Sequence, residues 1–332
     1  MNKHTASRVW NLEQSPTPAR KKVLLRTRSL TLATLARRPS TMLSLFVCSA
    51  GYIVGNALPC TATRSCEVRM SADVPSIVVG GGRIGSLLAS LGDSVIMRRG
   101  DDFPAEPAEG PIYVTTRNDD LQGVIDKTPA HRREDLVFMQ NGMLGKFLEG
   151  NNLGANTQVL LYLAVAKLGE APIDGITEFN PDGLTAATGK WATAFADRLD
   201  KGDLKCRALA GADYTAAMLE KHVWICAFMM VGALNGGVTV GEVESAHAGQ
   251  LQPLIAELCA AGEAELGVKL PEGAYDRLAA YGRSVAHFPT AVKEFEWRNG
   301  WFYEITEKAI REGRPDPMPL HTAGLKQLGV VP

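Results

Sequence analysis

Patterns of cysteine and histidine that would hold a metal ion or a disulfide framework are missing from this sequence. It has six cysteines in 332 residues. Only Cys206, Cys226 and Cys259 lie beyond residue 72, widely spaced and odd in number. That excludes a disulfide scaffold and the paired ligand spacings of zinc, and leaves buried, reduced thiols as the reading. A nucleoside-triphosphate loop is also absent: Gly142-x-x-Gly145-Lys146 lacks the four-residue gap and the hydroxyl residue after lysine. There is no internal repeat and no long run of one charge.

Acidic residues are nearly absent from the first 72 positions, which carry eleven Lys/Arg against Glu13 and Glu67. Charge of either sign disappears between Pro39 and Thr63. A basic, hydroxyl-rich, acid-poor leader has the composition of an organelle-targeting presequence. A plastid is the expected destination and the mitochondrion the alternative. The apolar run Met42 to Leu58 is interrupted by Ser44, Ser49, Gly51, Gly55 and Asn56, whereas a membrane span wants about 20 solidly apolar residues. No stable membrane association is therefore expected. Residues 1–72 are set apart from the fold and expected to be disordered in isolation.

Without the leader, the chain's 35 basic and 36 acidic residues fall to 24 and 34, a net charge of −10 over 260 residues. An acidic body argues against nucleic acid as a partner. Its most telling stretch is Ile77-Val78-Val79-Gly80-Gly81-Gly82-Arg83-Ile84-Gly85. A β-branched run breaks into Gly-x-Gly-x-x-Gly and then opens a helix. Strand, sharp turn and helix N-terminus in that order cradle a dinucleotide pyrophosphate, with amides around Gly80, Gly82, Arg83, Ile84 and Gly85 pointing at the phosphates.

Periodicity predicts strands over 74–79, 94–97, 111–115, 135–139, 159–166 and 175–189, with Pro181-Asp182-Gly183 as a turn, and helices over 83–91 and 119–127. From about residue 190 the pattern turns helical: 191–199, 213–234, 248–266, 272–285 and 295–311. The expected class is α/β, a Rossmann-like doubly wound parallel sheet (73–200) followed by an all-helical C-terminal domain (201–332), the boundary falling near 190 to 210. Ligand chemistry belongs in the cleft between them.

At the end of the second strand, where an acid would hold a ribose hydroxyl pair, stand Arg98 and Arg99. Arginine forks match a 2′-phosphate, which favours NADP; the alternative is two solvated surface arginines. Arg117 is a further cation for the phosphates, and Asn141, ahead of Gly142, is placed to approach the nicotinamide side. Lys221 lies in a helix apolar on most of its circumference, so it either snorkels out or lines a cleft. Burial lowers a lysine pKa and makes it a better proton donor to a carbonyl oxygen. His222 projects about 100° away and reads as structural. Glu294 and Glu296 are candidate partners for the lysine or for a substrate hydroxyl, and His287 is an alternative acid.

With these residues in place, the chain over about 75–328 resembles the ketopantoate reductase (2-dehydropantoate 2-reductase) family. The glycine loop, Thr115-Thr116-Arg117, Gln140-Asn141-Gly142, Glu220-Lys221-His222-Val223-Trp224 and Glu294-Phe295-Glu296-Trp297-Arg298-Asn299-Gly300 carry the likeness. It implies Lys221 as general acid, Glu294 as the substrate-side carboxylate, and Asn141 contacting cofactor and substrate. Two asparagines expected four and eight residues after the lysine are Ile225 and Met229. The serine that would grip the substrate carboxylate has no clean counterpart, Ser284 and Thr290 being the candidates. One strand between Met97 and Pro111 is missing.

The implied function is NADPH-dependent reduction of a small 2-oxo acid, with no metal. The alternatives are a non-catalytic NADP(H)-binding or redox-sensing protein on the same fold, or a helical domain used mainly for a homodimer or partner contact.

Overall fold

The computed structural model describes residues 73–332, and these lie within one compact unit. The expected presequence falls outside the described residues.

Among the described residues the strands are β1 (Ser76–Val79), β2 (Ser94–Met97), β3 (Ile112–Val114), β4 (Leu136–Phe138), β5 (Thr157–Leu160), β6 (Ala186–Thr188) and β7 (Arg207–Ala208). They form one sheet in the order β2-β1-β3-β4-β5-β6-β7. The first five run parallel, β6 is antiparallel to β5, and β7 is parallel to β6. The doubly wound parallel sheet read from the sequence is present in β1 to β5, and the reversed pair β6 and β7 extends it. Residues 161–185, between β5 and β6, form no helix and only isolated bridges at Ala164–Ile173 and Thr177–Asn180. The long strands read over 159–166 and 175–189 shrink to β5 and β6 because the chain between them is an irregular excursion. β7 lies within the boundary region read from the sequence.

Period-two alternation puts both sheet faces into cores. Ile77, Val79, Ile112, Val114, Leu136 and Phe138 pack on α2 (Leu121–Lys127) and α3 (Gly145–Gly150). Val78, Tyr113 and Val137 point the other way, onto α1 (Arg83–Ser90) and α4 (Ala192–Asp200). Strands buried on both faces are continuous apolar runs, as Ile77-Val78-Val79 shows. The chain steps from β1 to β2 on one side and then crosses back to β3 on the other side of β1. That switch opens a crevice at the carboxyl end of β1, where the glycine loop stands.

The helical part is built around α5 (Gly211–Leu234). Packed with it are α6 (Val240–Ala246), α7 (Ala248–Leu266), α8 (Ala274–Ser284), α9 (Asn299–Arg311) and α10 (Pro319–Gln327). By length and composition α5 would cross a membrane, but 72% of its most apolar window is buried inside the protein. Its apolar character is that of a central core helix. α6 and α10 are not among the helices read from the sequence. α6 nevertheless carries a reciprocal capping box between Thr239 and Glu242, and α10 has proline in its first turn.

One buried side chain ties the start of the sheet together. Arg198 of α4, 2% exposed, donates to the carbonyls of Leu88, Val74 and Asp93 and to Ser94 Oγ at 2.6–3.1 Å. It also pairs with Asp73. Arg198→Met strips donors from four buried or half-buried acceptors, and should lower unfolding free energy by about 3–5 kcal/mol in denaturant titrations.

Candidate functional site

The glycine loop owes its shape to sterics at two of its three glycines. Gly80 has φ +105°, and a Cβ there would sit 2.9 Å from Thr115 Oγ1. A Cβ at Gly85 would run into the Gly80 carbonyl oxygen, so α1 packs against the turn only because residue 85 lacks one. Thr115 Oγ1 lies 2.9 Å from both the Val79 and Gly80 carbonyls and clasps the turn from the neighbouring strand. Gly82 differs: nothing lies within 4 Å of a Cβ there, so its backbone is open to a ligand. The Ser86 amide bonds back to the Gly82 carbonyl at 2.8 Å, and the amides ahead of it are the unpaired donors of a helix N-terminus.

A cavity of about 560 Å³ opens over this loop. Arg98, Arg99, Arg117 and Lys127 bring cations to it and Asp120 an acid. Arg98 crosses over Gly81. Arg99 is 87% exposed and bonds Asp120 at 3.0 Å, so one of its corners is already occupied. Open amides, an unobstructed Gly82 and a cationic rim fit the phosphates of a dinucleotide. Arg83 behaves differently from the sequence expectation. Its guanidinium reaches across to the Val165 and Ala166 carbonyls at 2.7 and 3.1 Å, which leaves its backbone amide as its means of meeting a phosphate.

A second cleft of about 250 Å³ shares Thr115, Thr116 and Arg117 with the first. Ile84, Met139, Leu161 and Leu163 supply its apolar wall, and Gln140 and Asn141 stand at the carboxyl end of β4. Gln140 donates to the Val114 and Thr116 carbonyls at 2.8 and 3.2 Å and accepts the Met139 amide, bolting the ends of β3 and β4 together. Asn118 holds the Asn141 carbonyl at 3.2 Å, and Asn141 itself is exposed at the cleft.

Glu294 and Arg298, from the helical part, close this cleft. They flank a one-turn 3-10 helix, Phe295–Trp297. That turn docks on the loop after β4: the Met143 amide bonds the Trp297 carbonyl at 2.8 Å, and a Cβ on Gly142 (φ +118°) would collide with that same carbonyl. Glu294 has φ +49°, ψ +51°, a left-handed conformation that non-glycine residues rarely hold without compensation. Its carboxylate forms an ion pair with Arg298.

Lys221 neither snorkels out nor stands in an open cleft. It is buried in α5, donates to the Leu161 carbonyl at 2.8 Å, and its Nζ lies 5.1 Å from the centroid of the Tyr162 ring. Burial, with Arg298 as a second cause, lowers its pKa to about 7. The space beside it, lined by Gln140, Asn141, Gly142, Leu160, Met218 and Ile225, is about 10 Å³, near the size of one water molecule. Lys221 and Glu294 thus approach Gln140 and Asn141 from two adjoining pockets, and Leu161, which binds the lysine, also lines the pocket of the glutamate.

Other candidates are engaged elsewhere. His222 stacks on Phe302 and donates Nε2–H to the Arg298 carbonyl at 3.1 Å. A carbonyl only accepts, which fixes that tautomer, and burial lowers its pKa to about 3. Ser284 bonds the Tyr281 carbonyl and Thr290 the Val238 carbonyl, and neither lines the cleft, so neither hydroxyl supplies the carboxylate grip looked for in the sequence. Glu296 and His287 are exposed. Arg298 and Thr115 are the residues that sequence reasoning passed over. The four-residue spacing of Glu294 and Arg298 was the available signal for the arginine. Among the described residues no group of three or more His, Cys, Asp or Glu side chains is placed to hold a metal ion.

The glycines separate structure from binding. Gly85→Ala should unfold the loop and lower the melting temperature sharply. Gly82→Ala should change stability by no more than about 0.5 kcal/mol while weakening NADPH binding at least tenfold by fluorescence titration.

No protein-family model and no curated protein matches the sequence. Solved structures do match. The 2-dehydropantoate 2-reductase of Methylococcus capsulatus superposes with a TM-score of 0.53 at 18% identity, over 77% of this chain and 96% of that one. A dimeric ketopantoate reductase from Staphylococcus aureus gives 0.54 at 17%, over 77% and 99%. D-mandelate dehydrogenase, solved with NADH, gives 0.55 at 12%, over 77% and 98%. The chain therefore carries, over nearly all of its described residues, the fold of the ketopantoate reductases.

Proposed function

We propose that this protein is an NADPH-dependent oxidoreductase that reduces a small, ketopantoate-like 2-oxo acid to the 2-hydroxy acid, with Lys221 as general acid. The observation that carries this reading is a buried ammonium group, its pKa lowered to about 7, set against the Gln140–Asn141 end of β4 beside the glycine-loop crevice. Lysines buried at that depth are costly unless they have work to do.

Bound at the glycine loop, NADPH would supply hydride to the carbonyl carbon. The chain's own residues do the rest. Arg98, Arg99 and Arg117 hold the 2′-phosphate end and the phosphates, and the amides of Gly82, Arg83 and Ile84 face the pyrophosphate. Asn141 orients the nicotinamide side and the substrate. Lys221, aimed by the Leu161 carbonyl, gives its proton to the carbonyl oxygen as charge develops there. A pKa close to 7 lets the amine be recharged from solvent at neutral pH. Glu294 positions the substrate from the other wall. Substrate entry requires the Phe295–Trp297 turn to part from the Asn141–Gly142 loop, since the space at Lys221 holds no more than a water molecule.

The division at residue 200, a homodimer like that of the S. aureus reductase, and delivery to a plastid, or else a mitochondrion, by residues 1–72 belong to the same proposal. A second reading, a non-catalytic NADP(H)-binding or redox-sensing protein, is favoured by the closed space at Lys221 and by apolar Ile225 and Met229 on the lysine's face of α5.

Lys221→Ala should cut kcat by about 10²–10⁴-fold and leave NADPH affinity unchanged. A general acid must be protonated to act, so kcat/KM of the wild type should fall as pH rises above about 7. NADPH that binds tightly while no 2-oxo acid in a broad panel oxidises it would favour the second reading. Arg98→Ala with Arg99→Ala should weaken NADPH at least tenfold and leave NADH nearly untouched. Equal loss for both would remove the 2′-phosphate role.

A further inference from the structure

We infer that Arg298 is the residue that grips the substrate's carboxylate and so makes this site select 2-oxo acids over neutral ketones. The inference rests on the reductase reading above and supplies a group that neither Ser284 nor Thr290 provides.

Arg298 is mostly buried, with 15% of its side chain exposed, and lines the cleft beside Lys221. Its position is fixed at the backbone. His222 holds its carbonyl, and the preceding Trp297 carbonyl is held by the Met143 amide. Its guanidinium is only partly used. Glu294 takes Nη2, while Nε is buried and meets no acceptor among the described residues. Nη1 makes no hydrogen bond among the described residues and is not one of the sealed atoms. A buried donor without a partner is unfavourable, and an anionic oxygen is the acceptor a guanidinium fork fits best.

Charge points the same way. Arg298 and Arg117 line this cleft with Glu294 as its one acid, and Lys221 stands at the adjoining space. The cleft therefore carries an excess of positive charge, which suits an anion and not a neutral carbonyl compound. The apolar wall of Ile84, Met139, Leu161 and Leu163 offers a carboxylate nothing, so the arginine end is where the acid group belongs.

The test uses the full-length protein with 3-methyl-2-oxobutanoate and pyruvate, each beside its methyl ester. Arg298→Gln should raise KM for the acids about 100-fold with kcat little changed. It should raise KM for the esters far less, through the freed Glu294 alone, and leave NADPH affinity as in wild type. Arg298→Lys, which keeps the charge without the fork, should fall between and serves where Arg298→Gln does not fold. Equal losses on acid and ester, or weaker NADPH binding, would make Arg298 a structural or cofactor residue and overturn the inference. If wild type reduces none of these compounds, the reductase reading fails by itself. Tryptophan-fluorescence titration with oxamate then decides Arg298: binding lost in Arg298→Gln upholds the carboxylate grip, and oxamate binding equal in both, or absent from both, refutes it.

Discussion

The docking of one short turn on one loop holds the candidate site together. The Trp297 carbonyl sits where a Cβ on residue 142 would stand and accepts the Met143 amide. That approach, open only to glycine at position 142, draws the Glu294–Arg298 segment of the helical part onto the carboxyl end of β4. Without it Glu294 and Arg298 would not reach the cleft that begins at the glycine loop. The same contact seals Lys221, because Gly142 lines the small space beside the lysine.

The electrostatics follow from that closure. An ammonium ion deprived of water keeps its proton weakly, and a guanidinium nearby weakens it further. Glu294 is held by Arg298 in a backbone conformation that the surrounding packing must over-determine. His222 is kept neutral by burial and spends its proton on the Arg298 carbonyl, so the residue beside the lysine in sequence acts as a brace for the arginine. The polar groups at this corner are thus ordered in layers. Glu294 and Arg298 face the cleft and Lys221 the small space adjoining it, while His222 braces Arg298 and Gln140 and Asn118 hold the strand end between them.

Much of the nucleotide half was legible because its constraints are local. Ile77-Val78-Val79 followed by three spaced glycines can do little else at the edge of a crevice, and the alternation in β3 and β4 assigns each residue to a sheet face. Arg83 shows the limit of local reading. Its place in the loop said phosphate, whereas its side chain crosses to carbonyls more than 80 residues away. The strands over 159–189 were overread because β-branched residues in an irregular excursion look like strand residues until one asks where the backbone bonds go. Helices α6 and α10 were passed over although Thr239, Glu242 and Pro319 marked their starts.

The amino-acid sequence by itself determined the crevice and the α/β start with its helical continuation, and it singled out Lys221 and Glu294 as candidates. Those features come from steric demands and periodicities within stretches of about ten to twenty residues. Tertiary structure alone decided that β6 runs backwards, that Lys221 is enclosed and bonded to Leu161, and that Arg298 lines the adjoining cleft with Glu294. Burial and charge pairing depend on which distant segments come to share a wall. That is settled by packing the whole chain, at positions such as Gly142 where the absence of a single carbon lets two segments meet.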